Sequence, residues 1–287
     1  MSQKRQPLID LDVIRYEIGF CGEYVEEGEL RVREFDFVAE LLDQRIKGIC
    51  EDTESTEPPI GFLTGSDLAA RIVNRVSRYN GNAELVIDTP FRERIACTKP
   101  YKGTRKGAKP FHFENITAYL LSEYDCRISN GLEADDLMCI EQTSRLRDSD
   151  TIICTRDKDL RMCPGWQFGW ECGKQPSFGP VYVDNKGTLQ LTNGKLKGTG
   201  LKFFFSQMLT GDTVDNIPGC KGMGPAKAFK LLDGCNTKRE HELAVIGAYQ
   251  NVYGDAWKDM LEEQSKLLWM VRELNEDGSP IHYEWKY

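Results

Sequence analysis

The chain reads as an α/β protein with a central, mostly parallel sheet flanked by helices. Two observations predict it. Short apolar runs alternate with stretches of helical periodicity, which is the pattern of a parallel sheet. Three of those runs also stop at an acid (Asp10, Asp88, Asp157), and in such sheets ligands bind beyond the carboxyl ends of the strands.

Pro7 to Asp12 reads as a short buried strand ending in acid. From 33 to 50, Phe35, Val38, Leu41, Leu42, Arg45, Ile46 and Ile49 recur at helical spacing. An acidic loop runs to Pro59, and Ser66 to Tyr79 has the pattern of a second amphipathic helix. Glu84 to Thr89 is the next strand, ending in acid and broken off by Pro90. Residues 91–109 carry Arg92, Arg94, Lys99, Lys102, Arg105, Lys106 and Lys109 against the single acid Glu93. With Tyr101, prolines and glycines interleaved, this stretch suits a mobile loop or arch that meets phosphates. A helix over about 113–124 leads to Gly131–Ile140, where Glu133, Asp135 and Asp136 crowd the start of an apolar helix. Carboxylates about 5 Å apart repel by roughly 3 kcal/mol at an effective dielectric of about 20, so three at one helix start call for a cation. A capped, solvated helix start is the competing reading.

Asp150 to Thr155 gives a third strand, followed by Asp157 and Asp159. Residues 164–200 are Gly-rich, with Trp166, Phe168 and Trp170 assigned to the core or sheet edge and a hairpin expected around Asp184–Gly187. Leu201 to Leu209 reads as a buried helix running into Asp212 and Asp215. After it, Gly219, Gly222 and Gly224 build a tight turn before Pro225, with Lys221 and Lys227 beside it. Backbone N–H groups in such a turn hold a phosphate without reading bases. The helical region from Arg239 onward offers no nameable chemistry. Domains are therefore expected at 1–200, a catalytic core with an arch at about 91–118, and at 201–287, a DNA-binding region.

The net charge of −8 argues against a nucleic-acid partner unless the acids are gathered in one metal-loaded pocket while basic residues line the approach. Ten scattered cysteines without a CxxC pair read as reduced thiols of a cytoplasmic protein. Three histidines, none beside a nucleophile, give poor support to histidine acid–base chemistry. No membrane span or signal peptide is expected.

These residues resemble the 5′ nucleases, the flap endonucleases and 5′→3′ exonucleases, most closely the stand-alone phage type. The motifs occur in that family's order: Leu8-Ile9-Asp10, Val86-Ile87-Asp88 with Phe91-Arg92, Tyr101-Lys102-Gly103-Thr104-Arg105, Gly131 to Asp136, Thr155 to Asp159, and Gly211 to Gly219. The resemblance implies a PIN-like core with a helical arch and a helix–hairpin–helix subdomain. It implies a metal pocket of Asp10, Asp88, Glu133, Asp135, Asp136, Asp157, Asp159, Asp212 and Asp215, with Asp10 and Asp88 counted as catalytic. It sets Lys102 and Arg105 at the scissile phosphate and Tyr101 against a base, with Arg92 and the hairpin (Gly219, Lys221, Gly222, Gly224, Lys227) on DNA and K⁺ at that hairpin. Asp10-Leu11-Asp12 departs from the usual first motif, and Ala226 separates Pro225 from Lys227.

The expected activity is metal-dependent 5′→3′ exonuclease and 5′-flap cleavage of DNA, by a monomer, leaving 5′-phosphates. RNA in RNA–DNA hybrids is a further expected substrate. Oxygen ligands without a His/Cys set select two Mg²⁺ or Mn²⁺ ions. The cytoplasm would be a host's if the protein is phage-encoded. A PIN-like ribonuclease or a non-catalytic DNA-binding module are the alternatives.

Overall fold

The computed structural model describes residues 5–68, 87–105 and 107–287. They form two compact units that do not follow chain order. The first comprises 1–90, 107–157 and 166–181; the second comprises 91–106, 158–165 and 182–287. Residues 91–106, 158–165 and 182–200, expected with the catalytic core, thus group with the C-terminal residues.

In the first unit β1 (Gln6–Asp10) runs directly into α1 (Leu11–Cys21). A small hairpin, β2 (Glu23–Glu26) and β3 (Glu29–Val32), turns through Glu27 and Gly28, both at positive φ as a two-residue hairpin turn requires. Next come α2 (Phe35–Asp52), β4 (Ile60–Leu63), α3 (Phe113–Glu123), β5 (Asp125–Ile128), α4 (Ala134–Ser144), β6 (Thr151–Cys154), β7 (Gly165–Gly169) and β8 (Phe178–Val183). The sheet order is β5-β4-β1-β6-β7-β8, and the pairs from β5 through β7 are parallel. β4 and β6 are buried throughout, as strands covered on both faces must be. Leu8 of central β1 faces Ile60 on one side and Ile153 on the other.

The stripe Val38, Leu42, Ile46 and Ile49 of α2 meets Ile14, Ile18, Ile116, Leu120 and the strand residues Ile9, Ile152 and Phe168 in one apolar core. Burying one such side chain contributes about 1.5–3 kcal/mol. Trp170 is part of this core, as its alternation with Phe168 predicts.

The second unit is built on a one-turn helix (Phe91–Ile95), the antiparallel pair β9 (Leu189–Thr192) and β10 (Lys195–Gly198), and α5 (Gly200–Thr210), α6 (Pro225–Asp233), α7 (Lys238–Tyr253) and α8 (Trp257–Leu268). Phe204 of α5 lies 5.0 Å from Tyr283, 5.1 Å from Trp269 and 6.2 Å from Trp285, centroid to centroid. The C-terminal aromatics are thus this unit's core.

Two expectations need correction, and two lie largely outside the described residues. The hairpin turn is Asn193-Gly194, both at positive φ, joining β9 and β10. Asp184–Gly187 is only a turn, its Asp184 carboxylate accepting from the Gly187 N–H at 2.6 Å. Ala96 to His112, apart from Lys106, form turns and irregular chain, because Pro100, Gly103, Gly107 and Pro110 interrupt any helix there, so the arch stretch is helical only at its two ends. The helix expected at 66–79 and the strand expected at 84–89 lie largely outside the described residues, and the described Ile87–Pro90 form no regular element. No helix among the described residues is long and apolar enough to cross a membrane.

Candidate functional site

Asp10 ends β1 and caps α1. Its carboxylate accepts from the Val13 N–H at 3.1 Å and from the Thr155 hydroxyl at 2.6 Å. Thr155 follows β6, and its Oγ1 accepts from the Asp157 N–H at 2.9 Å. Parallel pairing of β1 with β6 thus delivers Asp10 and the Thr155–Asp157 turn together. Asp10 is only 1 % exposed. Burial first, then the Asp12 charge, pushes its carboxyl up to about 7; Asp157 adds to the rise, while the Thr155 and Val13 hydrogen bonds oppose it. Asp12 accepts from the Thr64 N–H at 3.1 Å and pairs with Arg15. Arg15 is wholly buried and lies 4.5 Å above the Phe113 ring.

Glu133 and Asp136 form a capping box on α4, with the Asp136 carboxylate accepting from the Glu133 N–H at 3.2 Å. Both are buried and Asp135 is half-buried. The stretch therefore does the work of a helix start as well as gathering acids. The Thr64 hydroxyl accepts from the Ala134 N–H at 3.0 Å. This close approach depends on Gly65, where a Cβ would lie 2.1 Å from the Ser129 carbonyl oxygen. Asp88 is exposed, and its main chain is tied to the same loop: its N–H donates to Asn130 Oδ1 at 2.6 Å and its carbonyl accepts from the Gly131 N–H at 3.2 Å.

The other expected ligands belong to the second unit. Lys158 pairs with Asp212 and lies 3.5 Å from Asp159, whose carboxylate also accepts from Gln207 Nε2 at 2.6 Å. Burial alone would raise Asp212; Lys158, by hydrogen bond and charge, together with the Val214 and Asp215 N–H groups, holds it below the usual carboxylate value. The loop from Gly211 to Gly219 is closed by the paired Asp212 and Ile217 backbones, at 2.9 and 2.7 Å. Gly211 and Gly219 both have positive φ, and a Cβ on Gly219 would lie 2.2 Å from the Gly211 nitrogen. Only glycine fits.

Asp215 accepts from the Tyr101 hydroxyl at 3.1 Å and from Arg105 at 2.6 Å, and its carbonyl accepts from the Lys102 N–H at 2.9 Å. Asn216 Nδ2 donates to the Pro100 carbonyl at 2.9 Å. The Tyr-Lys-Gly-Thr-Arg stretch is thus folded onto the Asp215 loop. Tyr101, expected against a base, is 8 % exposed because its ring packs inward with its hydroxyl on Asp215. Arg92, expected on DNA, is wholly buried and donates to the carbonyls of Leu267 at 3.0 Å and Trp269 at 2.6 Å. A guanidinium spent on buried carbonyls serves the unit's interior.

The turn after Gly219 has the expected helix on each side, α5 before and α6 after, with Pro225 at the start of α6. Lys221, Gly222, Gly224 and Lys227 are exposed, and Lys227 Nζ donates to the Gly222 carbonyl at 3.1 Å. Two supports escaped the sequence reading. Tyr253 donates to the Gly219 carbonyl at 3.0 Å and accepts from the Lys221 N–H at 3.1 Å, and Gln264 accepts from the Gly219 N–H at 3.0 Å. Arg15, Thr155, Lys158 and Gln207 were likewise missed as partners of acids. Only Thr155 and Lys158, inside a motif, gave any signal.

Asp10, Asp12 and Asp157 are hard oxygen donors sharing one electrostatic field, which fits a divalent cation in chemistry. Among the described residues no three His, Cys, Asp or Glu side chains are arranged to hold a metal ion, so coordination would require them to draw together.

No family model matches the chain. DNA polymerase I of Deinococcus radiodurans is 26% identical over 207 residues, which are 68% of this chain and 20% of that protein. The chain therefore spans about a fifth of that relative's length. The T5 5′-exonuclease, solved with zinc as a divalent ion, aligns with a TM-score of 0.50 and 12% identity over 93% of this chain and all of that one. A bacteriophage T5 flap endonuclease solved with DNA and metal ions aligns at 0.49 and 13% identity, over 92% of this chain and 99% of that one. At such identities the likeness is one of fold: the chain has the mixed α/β fold of the 5′ nucleases, and the resemblance carried by its motifs holds for its architecture.

Proposed function

We propose that this chain is a metal-dependent 5′→3′ exonuclease that also cuts 5′ flaps on DNA, hydrolysing phosphodiesters with two Mg²⁺ or Mn²⁺ ions and leaving 5′-phosphates. The observation that carries the reading is the acidic end of the β1/β6 pair, where Asp10, Asp12 and Asp157 share one field on a fold like that of T5 5′-exonuclease. Asp10, Asp88, Glu133, Asp135, Asp136 and Asp157 of the first unit are the proposed ligands there; Asp159, Asp212 and Asp215, in the second unit, are likewise proposed as metal ligands. Divalent ions so held supply an activated water and neutralise charge growing on the phosphoryl oxygens.

The chain's own residues have separate tasks. Thr155 holds the Asp10 carboxylate in place, and Arg15 and the Thr64 N–H hold Asp12. Lys102 and Arg105 meet phosphate oxygens; for Arg105 this means exchanging Asp215 for the substrate, a charge-assisted swap between two anions. The turn from Gly219 to Gly224, exposed at Lys221, Gly222 and Gly224, holds a duplex backbone with Lys221 and Lys227 without reading sequence, and K⁺ at its carbonyls is part of the same proposal. RNA in hybrids is a further substrate, since none of these contacts reads a base.

Cleavage of a duplex with a labelled 5′ flap, in Mg²⁺ or EDTA, by wild type and Asp157→Asn tests the reading. Metal-dependent cutting near the junction, lost in the variant, is expected. Tight binding without cutting in any divalent ion would leave a non-catalytic DNA-binding module, and cutting of single-stranded RNA alone would indicate a PIN-like ribonuclease.

A further inference from the structure

A cavity of about 230 Å³ in the second unit uses none of the residues assigned above. Its buried lining includes Leu201, Phe205 and His241, and its more exposed lining includes Lys186, Lys202 and Lys238. The Phe205 and His241 rings stack, with centroids 5.5 Å apart and planes 19° apart, which gives the cavity a flat aromatic element. His241 Nδ1 lies 2.7 Å from the Thr237 carbonyl oxygen. A carbonyl only accepts, so Nδ1 carries the hydrogen and Nε2 of the neutral ring is left as an acceptor. That Nε2 is buried and has no hydrogen-bond partner among the described residues. A buried polar atom left so is costly, and a ligand N–H would satisfy it.

The cationic side of the cavity is also uncommitted. Lys238 lies 3.6 Å from Glu242, but Lys186 and Lys202 form no ion pair among the described residues. The N–H groups of Asn236 and Thr237 at the start of α7 are already taken by Glu240, at 2.6 and 3.2 Å, so the charge available to an anion is that of the lysines. An inorganic phosphate dianion would answer the lysines but offer nothing planar to the Phe205–His241 pair. A simple aromatic would do the reverse.

We infer that this cavity binds a nucleoside monophosphate, the base donating an N–H to His241 Nε2 and the phosphate meeting Lys186 and Lys202. The inference stands on the cavity and is independent of the nuclease reading.

Calorimetric titration of the full chain in EDTA tests it, with 5′-dAMP as the probe and 2′-deoxyadenosine and inorganic phosphate as controls. Saturable one-to-one binding of dAMP is expected, with each control about tenfold weaker or worse. Lys186→Glu combined with Lys202→Glu, at one exposed and one partly exposed position, should weaken dAMP about tenfold or more. His241→Phe, which keeps the ring stack and removes the acceptor, should weaken it about threefold or more. Absence of saturable binding up to about 10 mM dAMP would overturn the proposal. So would binding indifferent to the lysine pair, and so would phosphate alone binding as tightly as dAMP.

Discussion

The two units treat their acids in opposite ways. In the first, Asp10 is buried beside Asp12 and Asp157, and its carboxyl is pushed up to about 7. Arg15, wholly buried, is spent on Asp12. In the second, Asp212 is also buried, yet Lys158 holds it below its usual value, and Asp215 pairs with Arg105 and accepts from the Tyr101 hydroxyl. Burial opposes a lone carboxylate in either place, and a single well-placed ammonium reverses the outcome. At Asp10 the neighbouring carboxylates add to the cost of ionisation, whereas Asp212 and Asp215 each hold a cation.

That contrast can be broken by measurement. The largest expected effect is on turnover: Asp157→Asn should slow single-turnover cleavage of a 5′ flap in Mg²⁺ by about a thousandfold or more, whereas Tyr101→Phe should slow it by less than about tenfold. Equal losses would mean the two acid sets are not distinct in role.

Stability comes next. Asp10→Asn should stabilise the metal-free chain by about 2 kcal/mol at pH 8, read as a rise in Tm in EDTA. The sign follows from the raised folded value. Between the ordinary carboxyl value of 3.8 and about 7 the unfolded chain has lost the Asp10 proton while the folded chain keeps it, so wild-type stability falls as pH rises through that window. The gain from Asn should be absent below about pH 4 and level off above about pH 7. A gain that does not vary with pH would refute the repulsion.

The second unit should answer with the opposite sign. Lys158→Met, which strands Asp212, should destabilise by about 1–2 kcal/mol, discounted because Lys158 is half exposed, and adding Asp212→Asn should recover most of the loss. Failure of the double variant to recover would show that Lys158 stabilises by packing alone. Tyr101→Phe should cost about 1 kcal/mol, the size of one hydrogen bond. Last, Lys221→Ala and Lys227→Ala should each weaken duplex binding and flatten its salt dependence by roughly one unit of slope. An unchanged slope would remove them from the phosphate track.

Much of the scaffold was legible because its signals are local. β1, α2, α3, β6 and α5 fall where periodicity and apolar runs set them, and Pro225 opens α6 as a proline in the first turn should. Local signals failed where the decisive contact is distant. Central strand β4, only Ile60–Leu63, is too short to show a period and is fixed by pairing with β1 and β5. Arg92 and Tyr101 sit in the most basic stretch of the chain, yet they turn inward because carbonyls 175 and 177 residues away and the Asp215 carboxylate satisfy them.

The sequence by itself determined the acids, their order and, for Asp10 and for Glu133 to Asp136, the strand or helix end they occupy. Those follow from residue type and from periods of two and 3.6, which need only neighbours along the chain. The tertiary structure alone decided which acids stay in conflict and which are neutralised. A carboxylate's state depends on what lies within a few ångströms. For Asp10 that is Thr155, far along the chain, and for Asp212 it is Lys158. Folding chooses those partners, and composition cannot.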